Sequence, residues 1–296
     1  MKSKHATRVE LDGRLGNHLF QIAAGYALCL KNGNPLKLDF SLATLLPFKS
    51  GALAAAMHIG RTMKVAPLRH PGLRRRFSRT FPEAGLGYTV FRRDHEYDLS
   101  FESLGPKTVL QGFYQNERYF KPHERDIRAL FSDDMGIDAS STPYYEDILT
   151  SESVGVHIRR GDYLDAFFSH LLVCNLSYYN QAIDIFRRTS EKFRFFLFSD
   201  DPVWCKQHFP ARDFTIIETQ TPLDDPRLDF ALLRRCRHHV MSNSTFSWWA
   251  SWLNPYSKKN IICPDRWSTD NQIRLETKRF ERLQTLSEAT RAGLLK

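Results

Sequence analysis

His157-Ile158-Arg159-Arg160-Gly161-Asp162-Tyr163 sets two guanidinium groups and a carboxylate directly after the apolar run 154–158. That run reads as a buried strand. Two planar, permanently charged forks at the end of a strand suit an anionic ligand, a diphosphate best of all, because each fork offers paired donors where a lysine offers a point charge. A solvated charged turn would carry the same residues, so neighbouring clusters must decide between the readings.

Two such clusters follow two further apolar runs. Ser199-Asp200-Asp201 follows 194–198, and Ser242-Asn243-Ser244-Thr245 follows 239–241. If all three runs belong to one parallel sheet, the clusters share its carboxyl edge, where open α/β sheets bind ligands. Ser244 and Thr245 precede a helical pattern over 246–253, so they are N-caps or phosphate partners through hydroxyls and free backbone N–H groups. Trp248, Trp249 and Trp252 are expected to pack that helix on the sheet. Asp229 opens a helical pattern, where a carboxylate suits the macrodipole and can equally accept two hydrogen bonds from a guanine edge. Asp200 and Asp201 stay ambiguous, since Ser-Asp-Asp-Pro is also a good helix start.

The elements that must position these groups alternate clearly after residue 150. Strands are expected at 154–158, 194–198, 214–218, 239–241 and 260–263, with helices at 177–189, 202–208, 226–237 and 246–253 between them. Alternation of this kind implies a parallel sheet with helical crossovers. Near the N-terminus, a strand at 8–11, the turn Gly13–Asn17, a helix at 19–30 stopped by Gly33 and a strand at 36–40 form a Rossmann-like opening. Residues 41–110 are expected to be mainly helical decoration. The polar stretch 132–143 reads as an interdomain linker, which puts a domain at 1–150 and another at 151–296.

Composition limits the function classes. The 296 residues, 42% of them hydrophobic, suffice for two cores, and no run approaches the ~20 apolar residues that span a bilayer. The polar N-terminus lacks the apolar region of a secretory signal, so a cytoplasmic location is expected. Five scattered cysteines form no C-x-x-C pair, which points to reduced thiols. The sequons at Asn175 and Asn243 are accordingly discounted as glycan sites. Net charge is +9, and residues 61–80 hold seven Lys/Arg and no Asp/Glu. That stretch is a solvated basic face or a site of peripheral association with an anionic membrane surface. No nucleic-acid-binding pattern accompanies it. Neither an H-E-x-x-H pair nor a D-x-D triplet occurs, so no metal is expected, and leaving-group charge would fall to arginine and helix dipole. Gly13-Arg14-Leu15-Gly16-Asn17 lacks the Gly-Lys-Ser/Thr ending of a P-loop.

Taken in order, Gly13 to Gln21, Gly112 to Phe120, His157 to Tyr163, Phe198 to Asp201 and Ser242 to Leu253 resemble the bacterial α-1,2-fucosyltransferases of glycosyltransferase family 11. The resemblance implies a GT-B architecture, two Rossmann-like domains with parallel sheets facing a cleft. It implies inverting, metal-independent transfer of L-fucose from GDP-β-L-fucose to the 2-hydroxyl of a terminal galactose, with no cofactor beyond that co-substrate. His157, Arg159, Arg160, Asp229, Asn243, Ser244 and Thr245 would bind the donor. Asn17 and His18 would lie on the acceptor side, His18 standing where Gln is commoner in the family. Arg159 would be catalytic, with Asn17 and Asp162 as further candidates; Asp162 is either the general base or a group that orients Arg159. The alternatives are a fucosyltransferase of another linkage, α-1,6 or protein-O, and a nucleotide-sugar-binding protein without turnover.

Overall fold

The computed structural model describes residues 5–40, 50–62, 87–219 and 225–269, with the side chains of 50–53 and 62 excepted. Most of the basic stretch 61–80 lies outside these residues. The chain divides into two compact units. One runs to Ile137 and takes back the described part of Thr221–Arg227; the other comprises Asp138–Gln220 and the chain from Leu228. The division precedes the expected residue 150 for a local reason. Helix α4 (Tyr145–Thr150) leads straight into strand β5 (Glu152–Ile158), and the Ser153 hydroxyl donates to Ile148 O at 2.8 Å, tying the helix to the strand it feeds.

In the first unit β1 (Thr7–Glu10) runs into α1 (Leu15–Asn32) and on to β2 (Leu36–Asp39). Gly33 ends α1 at φ 63°, its N–H bonded to Cys29 O, as a left-handed stop requires. Helix α2 (Ser50–Thr62) packs on α1, and α3 (Glu124–Leu130) follows the sheet. The expectation of helical decoration across 41–110 fails at its end. β3 (Thr89–Arg92) and β4 (Thr108–Gln111) complete a parallel sheet of order β2-β1-β4-β3. Both are four-residue strands, and β3 buries only Phe91, so neither shows a readable period.

The second unit matches the expected alternation closely. β5, β6 (Phe193–Ser199), β7 (Phe214–Ile216), β8 (His238–Val240) and β9 (Ile261–Ile262) form a parallel sheet of order β7-β6-β5-β8-β9. The crossovers are α5 (Leu176–Thr189), α6 (Pro202–His208), α7 (Arg227–Arg235) and α8 (Thr245–Leu253). The period of two along β5 sorts its faces. Val154, Val156 and Ile158 bury against Tyr178, Tyr179, Ile183 and Phe186 of α5. Gly155 and His157 face the other way: a Cβ on Gly155 would lie 2.6 Å from Leu233 of α7, and the His157 ring lies 5.1 Å from that of Phe246 in α8. Trp248, Trp249 and Trp252 are buried, as expected of packing residues. The strand order reverses between β5 and β8, so the loops after these two strands flank the crevice of a doubly wound sheet.

Candidate active site

Parallel register brings the three polar clusters together. Ile158 pairs with Ser199 and Val156 with Val240, so His157–Asp162, Ser199–Asp201 and Ser242–Thr245 leave the sheet at one edge. Across the switch point, His157 Nδ1 lies 2.7 Å from Ser242 Oγ. Burial, and then the charge of Arg159, push the imidazole down to about 3. It is therefore neutral at physiological pH, a hydrogen-bonding group set on Phe246 and unsuited to proton transfer there.

Arg159 sits between two carboxylates. One Nη meets Asp162 and the other Asp200, while the ring of Tyr163 lies 5.4 Å from the guanidinium carbon. Burial works to lower its pKa, but Asp200 and Asp162 outweigh that and hold the group charged. Asp200 also fixes the backbone: its Oδ1 accepts the N–H of Arg160 at 2.9 Å and of Gly161 at 3.2 Å. A Cβ on Gly161 would lie 2.5 Å from Asp200 Oδ2, so only glycine permits this approach. The loop is thus shaped around one aspartate 40 residues away, and Arg159 is aimed by it. Asp162, weighed from the sequence as base or orienting group, is ion-paired with Arg159.

The remaining expected donor residues divide. Arg160 turns away from Arg159: its Nε donates to Asp201 at 3.1 Å, and its guanidinium lies 4.2 Å from the Trp204 ring centre. Asp201 in turn caps α6 by accepting from Trp204 N. Asn243 also faces inward, where its amide donates to Leu171 O at 2.7 Å and Trp267 O at 2.8 Å. Those bonds make its side chain a clasp for the surrounding loops, while the Asn243 backbone carbonyl accepts from the Tyr163 hydroxyl at 3.1 Å. Ser244 caps α8, its Oγ accepting from Phe246 N at 3.3 Å, and half-buried Thr245 begins the helix. Asp229 lies in the first turn of α7 and accepts from the Thr219 hydroxyl at 2.8 Å. Burial, only partly opposed by that hydrogen bond, lifts its carboxyl to about 6.

In the first unit, Gly13 holds φ 85°, and a Cβ there would lie 2.2 Å from Asn17 Nδ2. The turn therefore closes on Asn17, whose Oδ1 accepts from Gln115 Nε2 at 2.9 Å. His18 is fully buried, so its ring is not presented to an acceptor as expected. At the same sheet edge, Glu10, Asp12, Asp94 and Gln111 border a hollow of about 290 Å³. Sequence reasoning left Asp200 undecided and did not single out Ser242 as the partner of His157 or Gln115 as that of Asn17. The first two stand inside clusters already noted, and Gln115 lies within a stretch that resembles the family.

Two Rossmann-like units with parallel sheets, the second presenting a charged arginine and a helix N-terminus at its switch point, have the make-up of a GT-B glycosyltransferase. The fold agrees with that of NodZ alpha-1,6-fucosyltransferase in a crystal soaked with GDP-fucose: TM-score 0.51 at 15% identity, over 89% of this chain and 96% of that one. Residues 98–281 match the model of glycosyl transferase family 11. The chain is 32% identical over 268 residues to an Escherichia coli alpha-1,2-colitosyltransferase, which covers 87% of this chain and 90% of the relative. It is 30% identical over 253 residues to galactoside alpha-(1,2)-fucosyltransferase 1 of Lagothrix lagotricha, covering 82% of this chain and 63% of that one. The chain belongs to glycosyl transferase family 11. Among the described residues no helix is long and apolar enough to cross a membrane.

Proposed function

We propose that the chain transfers L-fucose from GDP-β-L-fucose to the 2-hydroxyl of a terminal galactose, with inversion and without a metal ion. The observation that carries this reading is the Arg159 fork, held charged by Asp200 and Asp162 at the same sheet edge as the α8 N-terminus. In a family with α-1,2-transferring relatives, that arrangement suits the diphosphate of a GDP-sugar. Arg159 and the N–H groups at Ser244–Thr245 would stabilise the charge that develops on departing GDP. Asp229 would read guanine, and neutral His157 would line the nucleoside. Asn17 and the first-unit edge would meet the acceptor. The basic stretch 61–80 would serve to hold the enzyme at an anionic membrane surface where acceptor glycans are assembled.

Colitose transfer is a second reading, favoured by the colitosyltransferase likeness. Colitose lacks only the 3-hydroxyl of fucose, and a site that hydrogen-bonds that hydroxyl would discriminate strongly between the two. The test is incubation with GDP-L-fucose or GDP-colitose and a panel of galactosides, with product linkage read by NMR. Transfer to a position other than the 2-hydroxyl refutes the linkage, and failure with every galactoside refutes the acceptor.

A further inference from the structure

The hollow at the carboxyl edge of the first sheet has a chemistry that the proposed transfer leaves unspecified. In the order β2-β1-β4-β3, β2 follows β1 on one side and the β3–β4 pair lies on the other, so the switch point falls between β1 and β4. Open parallel sheets bind ligands there. Glu10 and Asp12 reach the hollow from the end of β1, Arg92 and Asp94 from that of β3, and Gln111 and Phe113 from that of β4. The whole lining belongs to the first compact unit. Gln21 is fully buried and joins two of these strand ends: its Oε1 accepts from Asp12 N at 3.1 Å, and its Nε2 donates to Gly112 O at 3.0 Å. Gln111 Nε2 donates to Glu10 Oε1 at 2.9 Å, and Phe113 N to Asp94 Oδ1 at 3.2 Å. Gly112 holds φ 96°, where a Cβ would collide with Arg93 O, so only glycine permits this turn. The lining is therefore set before any ligand arrives. Among the described residues the Arg92 guanidinium has no hydrogen-bond or ion-pair partner, and the Phe113 ring meets no other ring.

We propose that this hollow is a saccharide subsite, one that takes a single neutral pyranose and turns away sugar acids. Sugar hydroxyls both donate and accept. The carboxylates of Glu10, Asp12 and Asp94 only accept and the Arg92 fork only donates, so the lining answers both halves of a polyol. Phe113 adds an apolar ring for the C–H face of the sugar. A volume of about 290 Å³ lies at the lower end of the span for small-molecule sites, about 300–1,000 Å³, and suits one ring. Three carboxylates against one guanidinium leave the hollow net negative, which repels phosphates and uronic acids. A metal ion is the poorer fit: among the described residues no three His, Cys, Asp or Glu side chains converge as ligands. That the pyranose is the terminal sugar of the acceptor rests on the transfer reading above.

The test titrates methyl β-D-galactopyranoside and methyl β-D-galacturonopyranoside, which differ only in a carboxylate at C6, into the whole chain with and without saturating GDP, reading affinity by ligand-observed NMR. The parent should bind the galactoside, and the galacturonide at least about tenfold more weakly. Asp94→Asn keeps the oxygen that accepts from Phe113 N and removes the charge. It should weaken the galactoside about tenfold and narrow the gap to the acid. Phe113→Ala should weaken the galactoside about threefold or more. Equal affinity of the parent for the two sugars, or binding of neither, overturns the proposal. So does parental galactoside affinity in both variants, and if the parent still transfers fucose to galactosides the transfer reading stands without it. Sugar binding in the expected pattern, with no acceptor-dependent GDP release from GDP-fucose or GDP-colitose, keeps the saccharide subsite and overturns the transfer reading.

Discussion

Arg159→Lys preserves the charge and removes the fork. In the parent, separate Nη atoms meet Asp162 and Asp200, and the side chain is only 15% exposed, so solvent screens these contacts weakly. A single ammonium cannot hold both carboxylates and also give a diphosphate two parallel donors. One charge-assisted hydrogen bond contributes about 1.5–3 kcal/mol. Losing one such bond to the departing diphosphate corresponds to a drop of about 10- to 150-fold in kcat/KM for the donor. The loss should appear in initial rates of GDP release at varied GDP-fucose, and in a smaller rise of melting temperature on adding GDP. Asp200 keeps its two backbone partners, so the unliganded variant should fold. A kcat/KM within threefold of the parent, with unchanged stabilisation by GDP, would refute the role of the fork.

Gly161→Ala places a Cβ 2.5 Å from Asp200 Oδ2 and should weaken GDP binding by about tenfold or more with the fold intact; calorimetry giving the parental affinity would show that the close approach is dispensable. Arg160→Lys should change turnover by less than about tenfold, because Arg160 serves Asp201 and Trp204; an effect as large as that of Arg159→Lys contradicts this division of labour. Asp229→Asn should trade binding for stability. Its carboxyl titrates at about 6, so between the ordinary carboxylate range and that value the native state binds more protons than the unfolded chain and is penalised as pH rises. The variant should melt above the parent at pH 7, with the gap closing below about pH 4, and should bind GDP more weakly because an amide cannot accept both guanine N–H groups. A lower melting temperature at pH 7 would be the wrong sign.

Local patterns made much of the second unit readable. The apolar runs at 154–158 and 194–198 are strands, and the Ser-Asp-Asp-Pro and Ser-Thr starts are helix caps, because burial period and capping depend on residues a few positions apart. β3 and β4 were not readable, since four residues with mixed exposure carry no period and their parallel pairing joins distant parts of the chain. The site itself was only half legible. Arg159 and Arg160 are adjacent and chemically alike, yet one meets Asp162 and Asp200 while the other meets Asp201 and Trp204.

By itself, then, the sequence determined that guanidinium, carboxylate and hydroxyl groups would follow three strands, and by resemblance which family has them. Tertiary structure alone decided which groups touch. His157 meets Ser242 because β5 and β8 are neighbours in parallel register, and Asn243 turns inward because its amide finds two buried carbonyls. Gln115 meets Asn17 from 98 residues away and His95 from 20 residues away. Hydrogen bonds act over about 3 Å whatever the separation along the chain, so partners that sheet register brings together leave no mark in local spacing.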